Sequence, residues 1–170
     1  YHQYLRGNFK PMDEDTEAMM YHYIIEDLNQ AGYPQYEVSN FARNQAYSKH
    51  NSIYWTLGEY IGVGLGAHGF INNERTQNER AMSKYLDHFT LSKTPQTGAE
   101  LLQDKLIFGL RLTKGIHVPT INQKYDINLF EKYPRIKEKI DLGLLQYDHD
   151  YLFLTKEGMM LGNQVFVLFI

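Results

Sequence analysis

Apolar side chains fall at a spacing of four in the first regular stretch of the chain, at Met20, Ile24 and Leu28, and Tyr21 and Ile25 widen the stripe. That period belongs to a helix with one face to pack against another element. Asp13 stands where a cap is needed, Asp15 and Glu17 put negative charge at the positive end of the helix, and Gly32 stops it. The period then changes. Over Tyr36 to Phe41 the side chains alternate, with Tyr36, Val38 and Asn40 on one face and Glu37 and Ser39 on the other, as in a half-polar strand. After a long aromatic loop, Tyr60 to Leu65 reads as a second strand in which Ile61, Val63 and Leu65 alternate with Gly62, Gly64 and Gly66, and Gly69 follows. Glycine at every second residue strips one face of side chains, so something approaches that backbone closely. A neighbouring helix, a tight turn and a cofactor all satisfy the pattern. The order helix, strand, loop, strand belongs to parallel α/β architecture.

A second helix is expected between Glu79 and Phe89, and the stretch from Ser92 to Gly98 reads as a linker. Thr97-x-x-Glu100 is a capping box that starts a helix through Leu101, Leu102, Lys105, Leu106 and Phe108 towards Leu110; Gly109 inside it implies a close neighbour. A short helix follows over Thr120 to Tyr125 and another from Pro134 to Leu142, with Gly143 as its left-handed stop. Leu144 to Tyr147 and Tyr151 to Leu154 flank Asp148-His149-Asp150 as a hairpin, and Thr155 caps a last helix carrying Met159 and Met160. Helices, a hairpin wing and a further helix describe a winged-helix-like module.

The segment from Gly32 to Gly69 is too dense in chemistry to be packing alone. It does not carry a dinucleotide fingerprint, because Gly62-Val63-Gly64-Leu65-Gly66 lacks the G-x-G-x-x-G spacing and no acidic residue follows at the right offset. Its motifs, in order, are DEDTEAMMYHYIIEDLNQAGYPQYEVSNFAR at Asp13 to Arg43, HNSIYW at His50 to Trp55, and EYIGVGLGAHG at Glu59 to Gly69. With a fourth stretch from Leu106 to Thr113 and on to LTKEG at Leu154 to Gly158, they resemble the C-terminal half of the HemW heme-chaperone family. That family is related to oxygen-independent coproporphyrinogen III oxidases in the radical S-adenosylmethionine superfamily. HNSIYW fits its HNxxYW pattern.

The resemblance implies an α/β fold: the C-terminal strands and helices of a partial radical-SAM (β/α) barrel over residues 1–91, a linker at 92–96, and a small winged-helix-like α+β domain over 97–170. It also implies that the family's CxxxCxxC cluster motif lies before Tyr1, so that the abrupt start YHQYLRG reads as the inside of a longer protein. Heme, S-adenosylmethionine and a 4Fe-4S cluster are then the expected cofactors of the full-length protein, with the cluster ligands absent from these residues. The stretch covered here is expected to be inactive alone in reductive S-adenosylmethionine cleavage.

Composition narrows the partners. The chain of 170 residues carries 17 Lys and Arg against 20 Asp and Glu, a formal charge of −3, and 43% hydrophobic residues, ordinary for a folded protein with a real core. That balance gives no general attraction for nucleic acid or an anionic membrane. Zero cysteine excludes a disulfide or a thiolate-held metal within these residues and agrees with a cytoplasmic setting. No apolar run approaches the roughly 20 residues a membrane span needs.

Taken alone, His50 is an imidazole among Tyr47, Tyr54 and Trp55, and reads as a hydrogen-bonded structural residue or as a ligand. The resemblance implies the second: His50 as a heme-binding residue and an axial iron ligand, Asn51 orienting the loop or meeting a propionate, and Tyr54 and Trp55 as an apolar wall. Tyr54 and Trp55 serve equally as loop anchors. By the same resemblance Ala67 and His68 stand at the S-adenosylmethionine pocket; His68 takes the place of an apolar residue of the oxidases and also suits a turn. Glu37 and Asn40 are candidates for lining the same cavity. Arg43 suits a carboxylate, a propionate or solvent. Lys132, Arg135, Lys137 and Lys139 are interleaved with Glu131, Glu138 and Asp141 and read as a solvated face.

Three functions follow as expectations. The first is a heme-binding chaperone that passes heme to acceptor proteins. The second is a coproporphyrinogen III oxidase, against which HNSIYW and GAHG argue. The third, a winged-helix nucleic-acid module, lacks a basic surface, since residues 101–170 hold 9 basic against 8 acidic groups. Separating a barrel strand from its upstream neighbour would leave an exposed edge and favour self-association.

Overall fold

The computed structural model describes residues 6–7 and 11–170 and divides into two compact units, residues 1–46 and 47–170. In the first, helix α1 (Glu14–Gln30) begins where expected: the Asp13 carboxylate accepts the Thr16 N–H at 2.9 Å and the Thr16 hydroxyl at 2.8 Å. These two bonds hold the Asp13 carboxyl below its ordinary pKa. Gly32, at φ +83°, supplies the turn after the helix. The apolar stripe is only partly covered. Ile25 is buried, whereas Met20 and Ile24 remain 49% and 44% exposed.

The expected strand over Tyr36 to Phe41 is instead a tight antiparallel hairpin of β1 (Gln35–Glu37) and β2 (Asn40–Phe41). Its cause is the Glu37 carboxylate, only 1% exposed, which accepts the Ser39 N–H at 3.1 Å and the Asn40 side-chain amide and so folds the chain back on itself. Tyr21 clamps the turn from α1, its hydroxyl donating to the Val38 carbonyl at 2.9 Å.

The second unit opens with α2 (Lys49–Trp55), capped by Ser48. Tyr60 to Leu65 does not form a strand: only Tyr60 pairs, in a single bridge with Phe70. The glycine-rich loop leads instead into β3 (His68–Ile71), β4 (Glu74–Asn78), α3 (Met82–Asp87) and β5 (Thr90–Pro95), with antiparallel order β3-β4-β5. Asn72 and Asn73, at φ +49° and +59°, make the tight β3-β4 turn. Among the described residues all strand pairs are antiparallel, so the parallel pair expected of a barrel is not formed. The segment expected as a linker differs too, because residues 92–95 pair along β4 as part of β5.

From Thr97 onward the elements follow the sequence pattern. The capping box is complete: Glu100 N–H donates to Thr97 Oγ1 at 3.2 Å and Thr97 N–H to Glu100 Oε2 at 2.7 Å, opening α4 (Gly98–Gly109). β6 (Ile116–His117), α5 (Val118–Tyr125), α6 (Leu129–Lys132) and α7 (Ile136–Asp141) follow. The hairpin of β7 (Leu145–Asp148) and β8 (Tyr151–Leu154) turns on His149 and Asp150, both at positive φ, and gives a sheet ordered β6-β8-β7. Thr155 caps α8 (Lys156–Met160), and α9 (Gly162–Phe166) closes the chain with a final 3-10 turn. One core joins these elements, with Leu106, Leu110, Leu129, Ile136, Leu152 and Val165 all fully buried. Gly109 is the close contact its position implied: a Cβ there would lie 2.4 Å from Ile116 Cγ2.

Candidate functional site

In α2 the i, i+4 spacing puts His50 and Tyr54 on one helix face. His50 Nε2 lies 3.1 Å from the Tyr54 hydroxyl, and the two rings meet edge to face at 5.0 Å. Tyr54 in turn meets Tyr60 edge to face at 4.6 Å. Tyr60 is fixed there by its paired backbone bonds with Phe70, at 2.8 and 2.9 Å. Behind these rings lies a cleft of about 340 Å³. Tyr54, Trp55, Tyr60, Phe70 and Phe108 supply aromatic wall. Its polar groups are the exposed His68 and the ion pair of Arg75 with Asp104. Burial is the main cause that pushes the Tyr60 phenol above its ordinary pKa, with the neighbouring Tyr54 adding to it.

Trp55 is both wall and anchor. Its ring packs against Phe108 at a centroid distance of 6.5 Å, and the Arg111 guanidinium lies 5.2 Å over it and 5.3 Å over Phe166. Trp55 Nε1 and Arg111 Nε are buried without a hydrogen-bond partner among the described residues. Lys105 ties the end of α2 down by donating to the Thr56 carbonyl at 2.8 Å. Burial, then the charge of Lys124, lowers the Lys105 pKa.

The glycine-rich loop answers the question its pattern posed. At Gly62 a Cβ would meet the His68 carbonyl oxygen at 2.4 Å, so the close approach comes from the chain's own backbone. Asn78 and Tyr85 hold the loop: the Asn78 amide donates to the Gly62 and Gly64 carbonyls at 2.9 and 3.0 Å, and Gly64 N–H donates to the Tyr85 hydroxyl at 3.1 Å. Ala67 spends both backbone groups, its N–H on Gly64 and its carbonyl on Asn78 N–H. Asn51 sits in the first turn of α2, its N–H on the Ser48 hydroxyl. Arg43 is exposed. In the basic cluster Arg135 pairs with Glu138 at 3.3 Å and Lys132 lies over the Tyr133 ring. Glu37 and Asn40 bond to each other within their own hairpin.

The structure thus brings His50, Tyr54, Trp55 and His68 to one region. It adds Tyr60, Arg75, Asp104 and Phe108, which the sequence reading did not single out. The available signal was Asn72-Asn73 between two polar-apolar runs, a hairpin mark that carries Arg75 back opposite Phe70 of the cleft wall. Among the described residues no group of three His, Cys, Asp or Glu side chains is placed to hold a metal ion. No helix among them is long and apolar enough to cross a membrane.

Residues 96–161 match the family model of the HemN C-terminal domain. The heme chaperone HemW of Bacillus subtilis is 33% identical over 97% of this chain and 45% of its own length, and that of Lactococcus lactis 34% over 97% and 45%. The mitochondrial radical S-adenosyl methionine domain-containing protein 1 of Bos taurus is 37% identical over 92% of this chain and 40% of its own. Among solved structures, the coproporphyrinogen III oxidase HemN of Escherichia coli, a radical SAM enzyme, is similar with a TM-score of 0.71 at 15% identity, over 93% of this chain and 42% of that one. This likeness identifies the fold as the α/β fold of that enzyme's C-terminal part. The chain spans about half the length of the curated relatives it matches.

Proposed function

We infer that this chain, which corresponds to the C-terminal half of a HemW-like protein, supplies the heme-holding surface of a heme chaperone that hands its cargo to acceptor proteins. The observation that carries the reading is the His50, Tyr54, Tyr60 series: an exposed imidazole on a capped helix, continued by aromatic rings in edge-to-face contact into a cleft. An imidazole nitrogen is an axial ligand for heme iron, and flat rings cover a porphyrin face. Nε2 of His50 already meets the Tyr54 hydroxyl. His50 would hold the iron through a ring nitrogen, and the Tyr54 hydroxyl beside the ring would orient it. An open cleft suits a cargo that must leave again.

The other cofactors implied by the relatives fit these residues less well. Ala67 has its backbone groups engaged and His68 is paired in β3, so the assignment of both to an S-adenosylmethionine pocket rests on resemblance. An iron-sulfur cluster has no thiolate here, since the chain contains no cysteine. The competing reading, coproporphyrinogen decarboxylation, draws support from the fold likeness to the oxidase alone. We also read residues 1–91 as the end of a barrel and 97–170 as a winged-helix-like module, the join at 92–96 being made by the end of β5. Ile61 and Val63 on the glycine-rich loop expose apolar surface that the rest of a longer chain would cover. A cytoplasmic site of action belongs to the same proposal.

Heme titration followed by the Soret band tests the reading. Saturable binding that weakens strongly in His50→Ala, and by a smaller factor in Tyr54→Phe, which removes only the orienting hydroxyl, supports His50 as ligand. Equal binding by His50→Ala removes it from that role.

A further inference from the structure

We propose that Arg75 is a carboxylate anchor of the aromatic cleft, so that the site selects a planar macrocycle by its acidic substituents as well as by its rings and iron; the inference rests on the heme reading above. Arg75 lies on β4, and its Nη2 is engaged by one oxygen of Asp104 on α4. The guanidinium side chain is 51% exposed, the carboxylate 15%. A guanidinium has five N–H donors in a rigid fork. One bond to Asp104 therefore fixes the fork at the cleft wall and leaves donors for a second carboxylate. The surrounding wall is aromatic, and such walls hold flat ligands without fixing their orientation; a single placed charge does that.

Size agrees with this arrangement. A cleft of about 340 Å³ lies at the small end of the roughly 300–1,000 Å³ of ligand pockets, so it seats one edge of a macrocycle. In heme the edge with charge to offer is the one bearing the two propionates. A carboxylate there can share the Arg75 fork with Asp104, as the free N–H groups bond it without breaking the first pair. Asp104 plays two opposed parts, positioning the guanidinium and repelling the incoming anion.

That opposition gives the test two signs. The 170-residue chain, Arg75→Gln and Asp104→Asn are each titrated with heme and with heme dimethyl ester, whose propionates are uncharged, and the ratio of the two affinities is compared. Each ratio is internal to one variant, so loss of folded protein cancels. The unsubstituted chain is expected to favour heme over the ester by about tenfold to a hundredfold, the range of a charge-assisted hydrogen bond. Arg75→Gln should bring the ratio near one, and Asp104→Asn, which keeps an oxygen acceptor for Arg75 but removes the charge, should raise it. A ratio unchanged in Arg75→Gln, with His50→Ala still abolishing binding, overturns the anchor and leaves the heme site standing. Absence of saturable heme binding by the unsubstituted chain overturns both.

Discussion

Substituting Gly69 by Ala tests how tightly the wall of the cleft is built. Gly69 follows His68 on β3, opposite Thr76 of β4. A Cβ at this position would stand 2.6 Å from Thr76 Oγ1, 3.0 Å from the Gly62 nitrogen and 3.1 Å from the Tyr60 carbonyl. Two of the three obstacles are backbone and cannot rotate away. Overpacking of this kind costs about 1–3 kcal/mol. Because Gly69 is not at positive φ, alanine also returns about 0.4–1 kcal/mol by restricting the unfolded chain. The overlap wins, and the net loss is about 1–2 kcal/mol, or roughly 5–30-fold in the unfolding equilibrium. Urea unfolding followed by the fluorescence of Trp55, the single tryptophan, reads it directly. Adding Thr76→Ala removes the hydroxyl and should recover part of the loss, leaving the backbone share, as a double-mutant cycle measures. A Gly69→Ala chain as stable as the unsubstituted one would refute the close packing of β3 on the glycine-rich loop.

Further outcomes follow from other contacts. Thr97→Ala removes the capping hydroxyl of α4 and should cost about 1 kcal/mol, measured by urea unfolding, with faster hydrogen exchange over residues 98–101. Leu106→Ala empties a fully buried site and should cost about 2–5 kcal/mol in the same experiment. His149 Nδ1 lies 2.8 Å from Asp148, and that hydrogen bond, with the Asp148 charge, raises the histidine pKa above 6.5. The pair therefore stabilises the β7-β8 turn fully below the unfolded pKa and loses its effect as pH rises through the folded one; NMR titration should show His149 returning to its ordinary value in Asp148→Asn.

The parts legible in the sequence are those fixed by local chemistry. Asp13, Thr97 and Thr155 cap helices because their side chains reach backbone N–H groups three residues on, and the Asp148-His149-Asp150 hairpin follows from turn residues that tolerate positive φ. What could not be read depends on distant partners. Tyr36 to Phe41 alternates like a strand, yet the buried Glu37 carboxylate gathers Ser39 and Asn40 and turns it into a hairpin. Tyr60 to Leu65 has strand alternation without a ladder, because Asn78 and Tyr85 bind the loop's backbone instead. At the site, His50 and Tyr54 were visible through helical spacing, but Arg75 and Asp104, 29 residues apart, meet only because the tertiary fold brings their side chains together.

The most direct test of the heme site uses a diamagnetic porphyrin, gallium protoporphyrin, added to the isotopically labelled chain while amide and side-chain NMR signals are followed. The account predicts saturable shifts concentrated at His50, Tyr54, Trp55, Tyr60, His68 and Arg75, with the core around Leu129 and Ile136 undisturbed. Shifts centred on α5 to α9, away from the cleft-lining residues Asp104 and Phe108 of α4, or none at His50 and Tyr54, would contradict it.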